Sequence, residues 1–234
     1  MQIFYAPDIE GDTYELDENE SKHIIKVLRK KKGTEVQLID GRGNLYDGII
    51  QTPDHRKCII AITGKISDFE KRNYRLHIAI SPLKNSERFE WFIEKSVEIG
   101  VDEITPLICR NTEKQGLKTE RINNIIISAM KQSLKATGTI LNAPCPFNTF
   151  INTDTEAKRV IAHCNVLFER KKISEVCSVN EDVLILIGPE GDFSEAEIKS
   201  ALIKGYNPVH LGNSRLRTET AGLAACHSIY FINQ

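Results

Sequence analysis

Two rhythms of apolar residues run along this chain. Short alternating runs at 34–39, 45–51 and 58–64 predict strands, joined by the turn-type segments Asp40-Gly41-Arg42-Gly43-Asn44 and Pro53-Asp54-His55-Arg56-Lys57. They make up a small antiparallel β-barrel, preceded by a short helix that Asp17 and Glu20 can cap. From residue 76 the rhythm changes. Strands at 76–80, 103–108, 160–163, 183–187 and 208–211 alternate with helices at 87–99, 119–136 and 194–204, and a final helix starts near Thr218. Gly100 and Gly205 supply helix stops, and Ser194 with Glu197 forms a capping box. This alternation predicts an α/β domain with a largely parallel sheet. The polar run Ser67-Asp68-Phe69-Glu70-Lys71-Arg72-Asn73 separates the two patterns, so a first domain over 1–70 and a second over 74–234 are expected.

Composition narrows the class. With 234 residues, 41% of them hydrophobic, the chain can bury a substantial core. No run approaches the roughly 18 apolar residues that span a bilayer. The start, Met1-Gln2-Ile3-Phe4-Tyr5-Ala6-Pro7, lacks a charged segment followed by a long apolar one, so a cytoplasmic protein with no membrane partner is expected. Six cysteines without Cys-x-x-Cys or histidine spacing speak against a metal site or a disulfide framework, and point to buried or half-buried thiols. A net charge of −1 gives no global attraction to nucleic acid. One local cluster departs from that balance, since Lys22 to Lys32 carries six cations and His23. His23, Lys26, Arg29 and Lys30 are therefore candidates for RNA contact. The plain alternative is that Lys30 to Lys32 complement a helix C-terminus before Gly33.

The last fifth of the chain carries the candidate chemistry. The strand at 183–187 runs into Gly188-Pro189-Glu190-Gly191, and the strand at 208–211 ends at Gly212 before Leu216-Arg217-Thr218-Glu219-Thr220-Ala221. Glycines at strand ends let the backbone turn sharply and let a ligand approach where a Cβ would stand. Two such ends, each feeding a helix, form one crevice outside the carboxyl edge of a sheet. Common phosphate motifs are absent. Gly41-Arg42-Gly43 begins like a dinucleotide fingerprint, but Tyr46 takes the sixth position and the segment joins two strands, so it reads as a hairpin turn. Neither a Gly-x-x-x-x-Gly-Lys-Ser/Thr loop nor a Gly-x-Ser-x-Gly elbow occurs.

On these strings the chain resembles the SPOUT methyltransferases, the trefoil-knotted class that binds S-adenosylmethionine. Within that class it is similar to the RsmE family, which methylates N3 of a uridine, uridine 1498, in 16S ribosomal RNA of the small subunit. The likeness spans the whole chain: His23 with Val27-Leu28-Arg29, Asp40 to Gly43, Lys84 through Glu94-Lys95 and Glu98-Ile99-Gly100, Gln132-Ser133, and both C-terminal motifs. It implies a PUA- or OB-like RNA-binding β-barrel before a SPOUT domain with a C-terminal knot, assembled as a homodimer. It also implies that S-adenosyl-L-methionine is held by His163, Ile187, Gly188, Gly191, Leu211, Gly212, Ser214, Leu216 and Thr218, and adds Lys84 and Arg110 to the RNA-facing cations. The implied target sets the remaining requirement. A uridine N3 keeps its proton at neutral pH, so transfer needs a proton acceptor and a cation for the charge that spreads onto O2 and O4. Arg217, always charged and with a planar donor fork, is the candidate cation. Its alternative is a structural ion pair with Glu219 or Glu190. Those two carboxylates are the candidate bases, or else acceptors that hold the loop through backbone amides.

Some positions depart from the family pattern or take plain readings. Asp192 stands where the family has a third glycine; a negative φ would accommodate it, and it would then help cap the following helix. Lys131 and Lys135 stand around Gln132 where the family has Glu and Arg. The spacing of Phe89, Trp91 and Phe92 predicts core packing rather than base stacking. His210 and His227 read as hydrogen-bonded structural histidines. Ala221, Gly222, Ala224 and Ala225 would let another helix approach closely. Two other functions stay open. A non-catalytic RNA-binding relative is opposed by the intact Arg217, Glu219 and glycine turns, and a knotted methyltransferase of transfer RNA is opposed by the N-terminal barrel.

Overall fold

The computed structural model describes residues 3–114 and 116–234; Met1 and Gln2, which open the 1–70 segment, lie outside the described residues, as does Gln115. The chain divides into two compact units, Met1–Lys71 with Ile127–Gly138, and Arg72–Ile126 with Thr139–Gln234.

The first unit is built on strands β1 (Ile3–Tyr5), β2 (Thr13–Glu15), β3 (Glu35–Ile39), β4 (Leu45–Thr52) and β5 (Ile59–Ile66), with the short helix α1 (Glu18–Lys22) between β2 and β3. The sheet order is β1-β3-β4-β5-β2. It is mixed rather than wholly antiparallel as expected, because β1 runs parallel to β3. A three-residue strand shows no alternation in sequence; it is fixed by burial of Ile3 and Phe4. Phe4, Leu16, Ile24, Leu38, Ile50 and Ile60 fill the core of this unit. The Asp17 carboxylate accepts the Glu20 N–H at 2.8 Å and starts α1. The chain leaves α1 through a π-helical turn, His23–Val27, and Arg29 then takes φ 54°. Lys30 to Lys32 therefore follow the helical turns, and the Lys30 N–H donates back to Ile24 O at 3.0 Å. The Asp40 to Asn44 turn is clamped by the buried Asp40 carboxylate, which accepts the N–H groups of Arg42 (2.8 Å) and Asn44 (3.1 Å) and the Asn44 side-chain amide (2.6 Å). Burial alone would raise the pKa of Asp40, but the hydrogen bonds from Asn44 and Arg42 outweigh it and hold the carboxyl below its ordinary value. Residues 127–138 join this unit through links that include the Gly43 N–H donating to Ala136 O at 3.0 Å, the Gly138 N–H donating to Gly41 O at 2.9 Å, and the pairing of Lys131 with Glu20.

The second unit holds β6 (Leu76–Ile80), α2 (Ser86–Ile99), β7 (Glu103–Ile108), α3 (Thr119–Gln132), β8 (Ile140–Leu141), β9 (Cys145–Pro146) and α4 (Phe147–Phe150). It continues with β10 (Lys158–Ala162), β11 (Lys171–Lys172), α5 (Ile173–Val176), β12 (Val183–Ile187), α6 (Glu195–Ile203), β13 (Asn207–His210) and α7 (Thr218–Ile232). The residues of α3 from Ile127 onward belong to the first unit. Sheet order is β11-β13-β10-β12-β6-β7-β8, with β9 also on β7, and every pairing is parallel. Central β12, Val-Leu-Ile-Leu-Ile, is buried throughout, as a strand covered on both faces requires. Helix α3 stops four residues earlier than its apolar rhythm predicts, because Leu134 turns left-handed at φ 60°.

Helix α7 packs on α2 and β6. Gly222 permits this approach, since a Cβ there would stand 2.6 Å from the Phe92 ring and 2.8 Å from Ile80 Cδ1. Phe89 and Phe92 are buried, but Trp91 is 42% exposed, contrary to the core-packing expectation. At 100° per residue it sits about 200° around the helix from Phe89 and off the buried face. His227 is exposed and stacks on Phe231 with ring centroids 6.3 Å apart. None of the six cysteines forms a disulfide, and Cys164, unlike the expectation for all six, is exposed. Among the described residues no helix is long and apolar enough to cross a membrane.

Candidate active site

Strands β13, β10 and β12 lie side by side, and their carboxyl ends open onto one cavity of about 370 Å³. Ala162 and His163 reach it from the end of β10, Ile187 and Gly188 from β12, and Val209 and His210 from β13. The segment Gly212 to Thr218 forms a further wall, and Arg88 enters from the first turn of α2. A crevice outside the carboxyl edge of a parallel sheet is the usual ligand position in such folds, and its size suits a small organic molecule.

The glycines serve different purposes here. Gly212 adopts φ 115°, which only glycine takes readily. Gly188 and Gly191 have no left-handed φ; the sharp turn expected of them falls on Asp192 instead, at φ 61°. Gly188 is needed for space, since a Cβ would stand 3.0 Å from the Phe193 ring and 3.2 Å from its nitrogen. The expected negative φ and capping role at Asp192 are thus both corrected. Short Asp side chains tolerate the left-handed region. Its carboxylate accepts the N–H groups of Cys164 and Phe193, each at 2.8 Å, while Ser194 caps α6. The Gly191 loop is held from outside by Asn111, whose amide donates to Asp192 O at 3.0 Å.

Of the expected cofactor residues, His163, Ile187, Gly188, Leu211, Gly212, Ser214, Leu216 and Thr218 line the cavity; Gly191 does not. His163 is 4% exposed, and neither ring nitrogen has a hydrogen-bond partner. Desolvation pushes its pKa below the ordinary value, helped by nearby Arg170 and opposed by Asp192. Two buried imidazole nitrogens without partners, on a residue that lines the cavity, fit a ligand that brings its own polar atoms.

The charged lining is four arginines, Arg88, Arg170, Arg215 and Arg217, against Glu190 and Asp192. Arg217 is exposed at the N-cap of α7 and, among the described residues, its guanidinium pairs with no carboxylate, so the alternative ion pair with Glu219 or Glu190 is not formed. Glu190 lines the cavity and accepts the Lys84 N–H at 3.3 Å. Glu219 is 7% exposed, lies off the lining and leaves Oε2 without a partner; its Oε1 is 3.8 Å from Arg88 Nε. Lys84 pairs with Glu113 at 3.0 Å, and the backbone of exposed Arg110 donates to Glu197 at 2.8 Å. In the first unit Lys26, Arg29 and Lys30 are exposed and His23 is half-buried.

Sequence reasoning passed over Arg88 and Arg170. Arg88 had a signal, because a cation in the first turn of a helix opposes the positive helix end and calls for another partner. Arg170, whose guanidinium donates to His163 O at 2.8 Å, had none, as it lies in an irregular segment. Among the described residues no group of three or more His, Cys, Asp or Glu side chains is arranged to hold a metal ion.

Comparisons with known proteins give the family. The family described as "RNA methyltransferase domain" matches residues 70–230, and "RNA methyltransferase PUA domain" matches 16–63. Ribosomal RNA small subunit methyltransferase E 2 of Borreliella burgdorferi is 30% identical over 209 residues, covering 85% of this chain and 83% of that protein. A crystal structure of a probable rRNA-methyltransferase from Porphyromonas gingivalis is 46% identical with a TM-score of 0.94, covering 100% of this chain and 98% of its own. Ribosomal RNA small subunit methyltransferase E from Neisseria gonorrhoeae, solved bound to S-adenosyl methionine, is 25% identical with a TM-score of 0.90 over 100% and 98% of the two chains.

Proposed function

Because this chain belongs to the RNA methyltransferase family of the ribosomal RNA small subunit methyltransferase E proteins, we propose that it methylates N3 of a uridine in 16S ribosomal RNA, at the position equivalent to uridine 1498. The observation that carries this reading is one cavity lined by both C-terminal motifs, Gly188-Pro189-Glu190 and Leu216-Arg217-Thr218. In this reading residues 74–234 are the methyltransferase domain and 1–70 the RNA-reading domain, the protein works in the cytoplasm, and two copies pair. The PUA match supports the second assignment, and exposed Tyr230 and Phe231 on α7 support pairing.

S-adenosylmethionine, when bound, supplies an electrophilic methyl group. The residues present fit it: the strand ends offer close backbone approach, the apolar Ile187, Val209 and Leu211 offer a slot, and His163 offers two unpartnered polar atoms. Arg217 steadies the negative charge on O2 and O4 of the target base. Glu190, exposed at the cavity, receives the N3 proton. His23, Lys26, Arg29, Lys30, Lys84 and Arg110 contact RNA phosphates.

Nucleoside mass spectrometry on unmodified small subunits and on naked 16S RNA, each incubated with the protein and S-adenosylmethionine, tests this reading. The expected result is 3-methyluridine at one site; cofactor binding without any transfer would overturn it. Reversing the charges of Lys26 and Arg29 together is expected to weaken RNA binding several-fold at low salt and to flatten its salt dependence by roughly two phosphate contacts. Filter binding across a salt series reads both, and unchanged affinity removes this cluster from the RNA face.

A further inference from the structure

The cavity is lined by an arginine, Arg88, for which the proposed chemistry has no use, and beside it, off the lining, stands a buried carboxylate. Glu219 sits in the first turn of α7, where its charge suits the helix end, yet it is buried and Oε2 has no hydrogen-bond donor. A carboxylate so placed is costly unless a cation is near. Arg88 Nε stands 3.8 Å from the other oxygen, too long for a hydrogen bond but close enough for an ion pair. Arg88 occupies the first turn of α2, where a cation opposes the helix end, and α2 is the helix on which α7 packs. The side chain of Arg88 is 44% exposed and lines the cavity. Contact through Nε leaves its two terminal amino groups for another acceptor.

Resting on the methyltransferase reading, we infer that Arg88 binds a backbone phosphate beside the target nucleotide, and that Glu219 is a positioning residue for Arg88 rather than a proton acceptor. The proposed cofactor has one anionic group, its α-carboxylate, offset by its sulfonium and ammonium cations, and Arg170 and Arg215 also line the cavity to meet it. An RNA phosphate gains from a guanidinium, and its oxygens match the two parallel donors of an arginine fork. Arg217, which unlike Arg88 pairs with no carboxylate among the described residues, is left to the base. The two arginines thus divide the anionic substrate between them, one at the backbone and one at the ring.

The test compares wild type, Arg88→Ala, Glu219→Gln and the double variant in RNA binding across a salt series and in steady-state transfer. Arg88→Ala and Glu219→Gln are each expected to raise KM for RNA several-fold with little change in kcat or in cofactor affinity. Arg88→Ala reduces the salt slope by roughly one phosphate contact. The double variant is no worse than Arg88→Ala, because Glu219 acts through Arg88. RNA affinity and salt slope indifferent to Arg88→Ala would overturn the inference. So would a Glu219→Gln variant that loses kcat while Arg88→Ala keeps it, the mark of a proton acceptor. If Glu219→Gln fails to fold, Arg88→Ala decides alone, since its side chain is partly in solvent. If the wild type transfers no methyl group, the methyltransferase reading fails, and the salt slope of Arg88→Ala in RNA binding still decides whether Arg88 meets a phosphate.

Discussion

Replacing Arg217 by Ala is expected to lower the methyl-transfer rate constant by about 10²- to 10³-fold, the usual loss when one preorganised donor to a developing oxyanion is removed. Cofactor affinity should stay within a few fold, because Arg217 is exposed and carries no ion pair that holds the cavity wall. The charge it serves exists only once N3 gives up its proton, so the interaction is made toward the transition state and not with the resting base. A pH profile gives a second reading. Raising the pH ionises uridine without help, so the gap between variant and wild type should narrow on the alkaline side. Arg217→Lys should recover part of the rate but not all, since an ammonium is a point charge without the planar fork. Single-turnover kinetics with calorimetric cofactor titration separate the two quantities. Near-normal turnover in the alanine variant would remove Arg217 from the chemistry.

The parts of the fold that sequence revealed are those fixed by local physics. The Ser194–Glu197 capping box, the fully apolar β12 and the helix stop at Gly100 each follow from interactions within a few residues, and each occurs where expected. The C-terminal cavity was legible for the same reason, because glycine-ended strands feeding helices have few other uses. What was not legible depends on partners far along the chain. Asp192 takes a left-handed φ because its carboxylate finds the Cys164 amide, 28 residues away. Gly188 is small for Phe193, not for its own backbone. Arg88 meets Glu219 only because α2 and α7 pack together, a contact that no periodicity encodes. The helical spacing that predicted core packing for Trp91 failed by a simple angle, as one apolar stripe on α2 already held Phe89, Phe92 and Ile93.

His163→Phe is expected to weaken S-adenosylmethionine binding roughly thirtyfold, about 2 kcal/mol, while leaving the protein folded. The imidazole is buried with both nitrogens unpartnered, and a buried polar atom left so costs about 1–3 kcal/mol. A ligand that satisfies one of them recovers that cost, which a phenyl ring cannot offer. Phenylalanine keeps the packing, since the ring of residue 163 meets Phe168 edge-on with centroids 5.9 Å apart. The pH dependence follows from the lowered pKa. The unfolded chain takes up a proton near the ordinary value of about 6.5, before the folded protein does, so His163 makes stability fall as pH drops below that value toward the folded pKa. The phenylalanine variant lacks this component and should lose less stability over the same window. A ligand bonded to the neutral ring keeps it neutral, so wild-type affinity should also decline on acidification, through the folded pKa. Calorimetric titration near pH 7.5 and pH 5.5, with thermal unfolding at both, reads all of these. Equal cofactor affinity in wild type and variant at both pH values would mean that the His163 nitrogens do not touch what binds in the cavity.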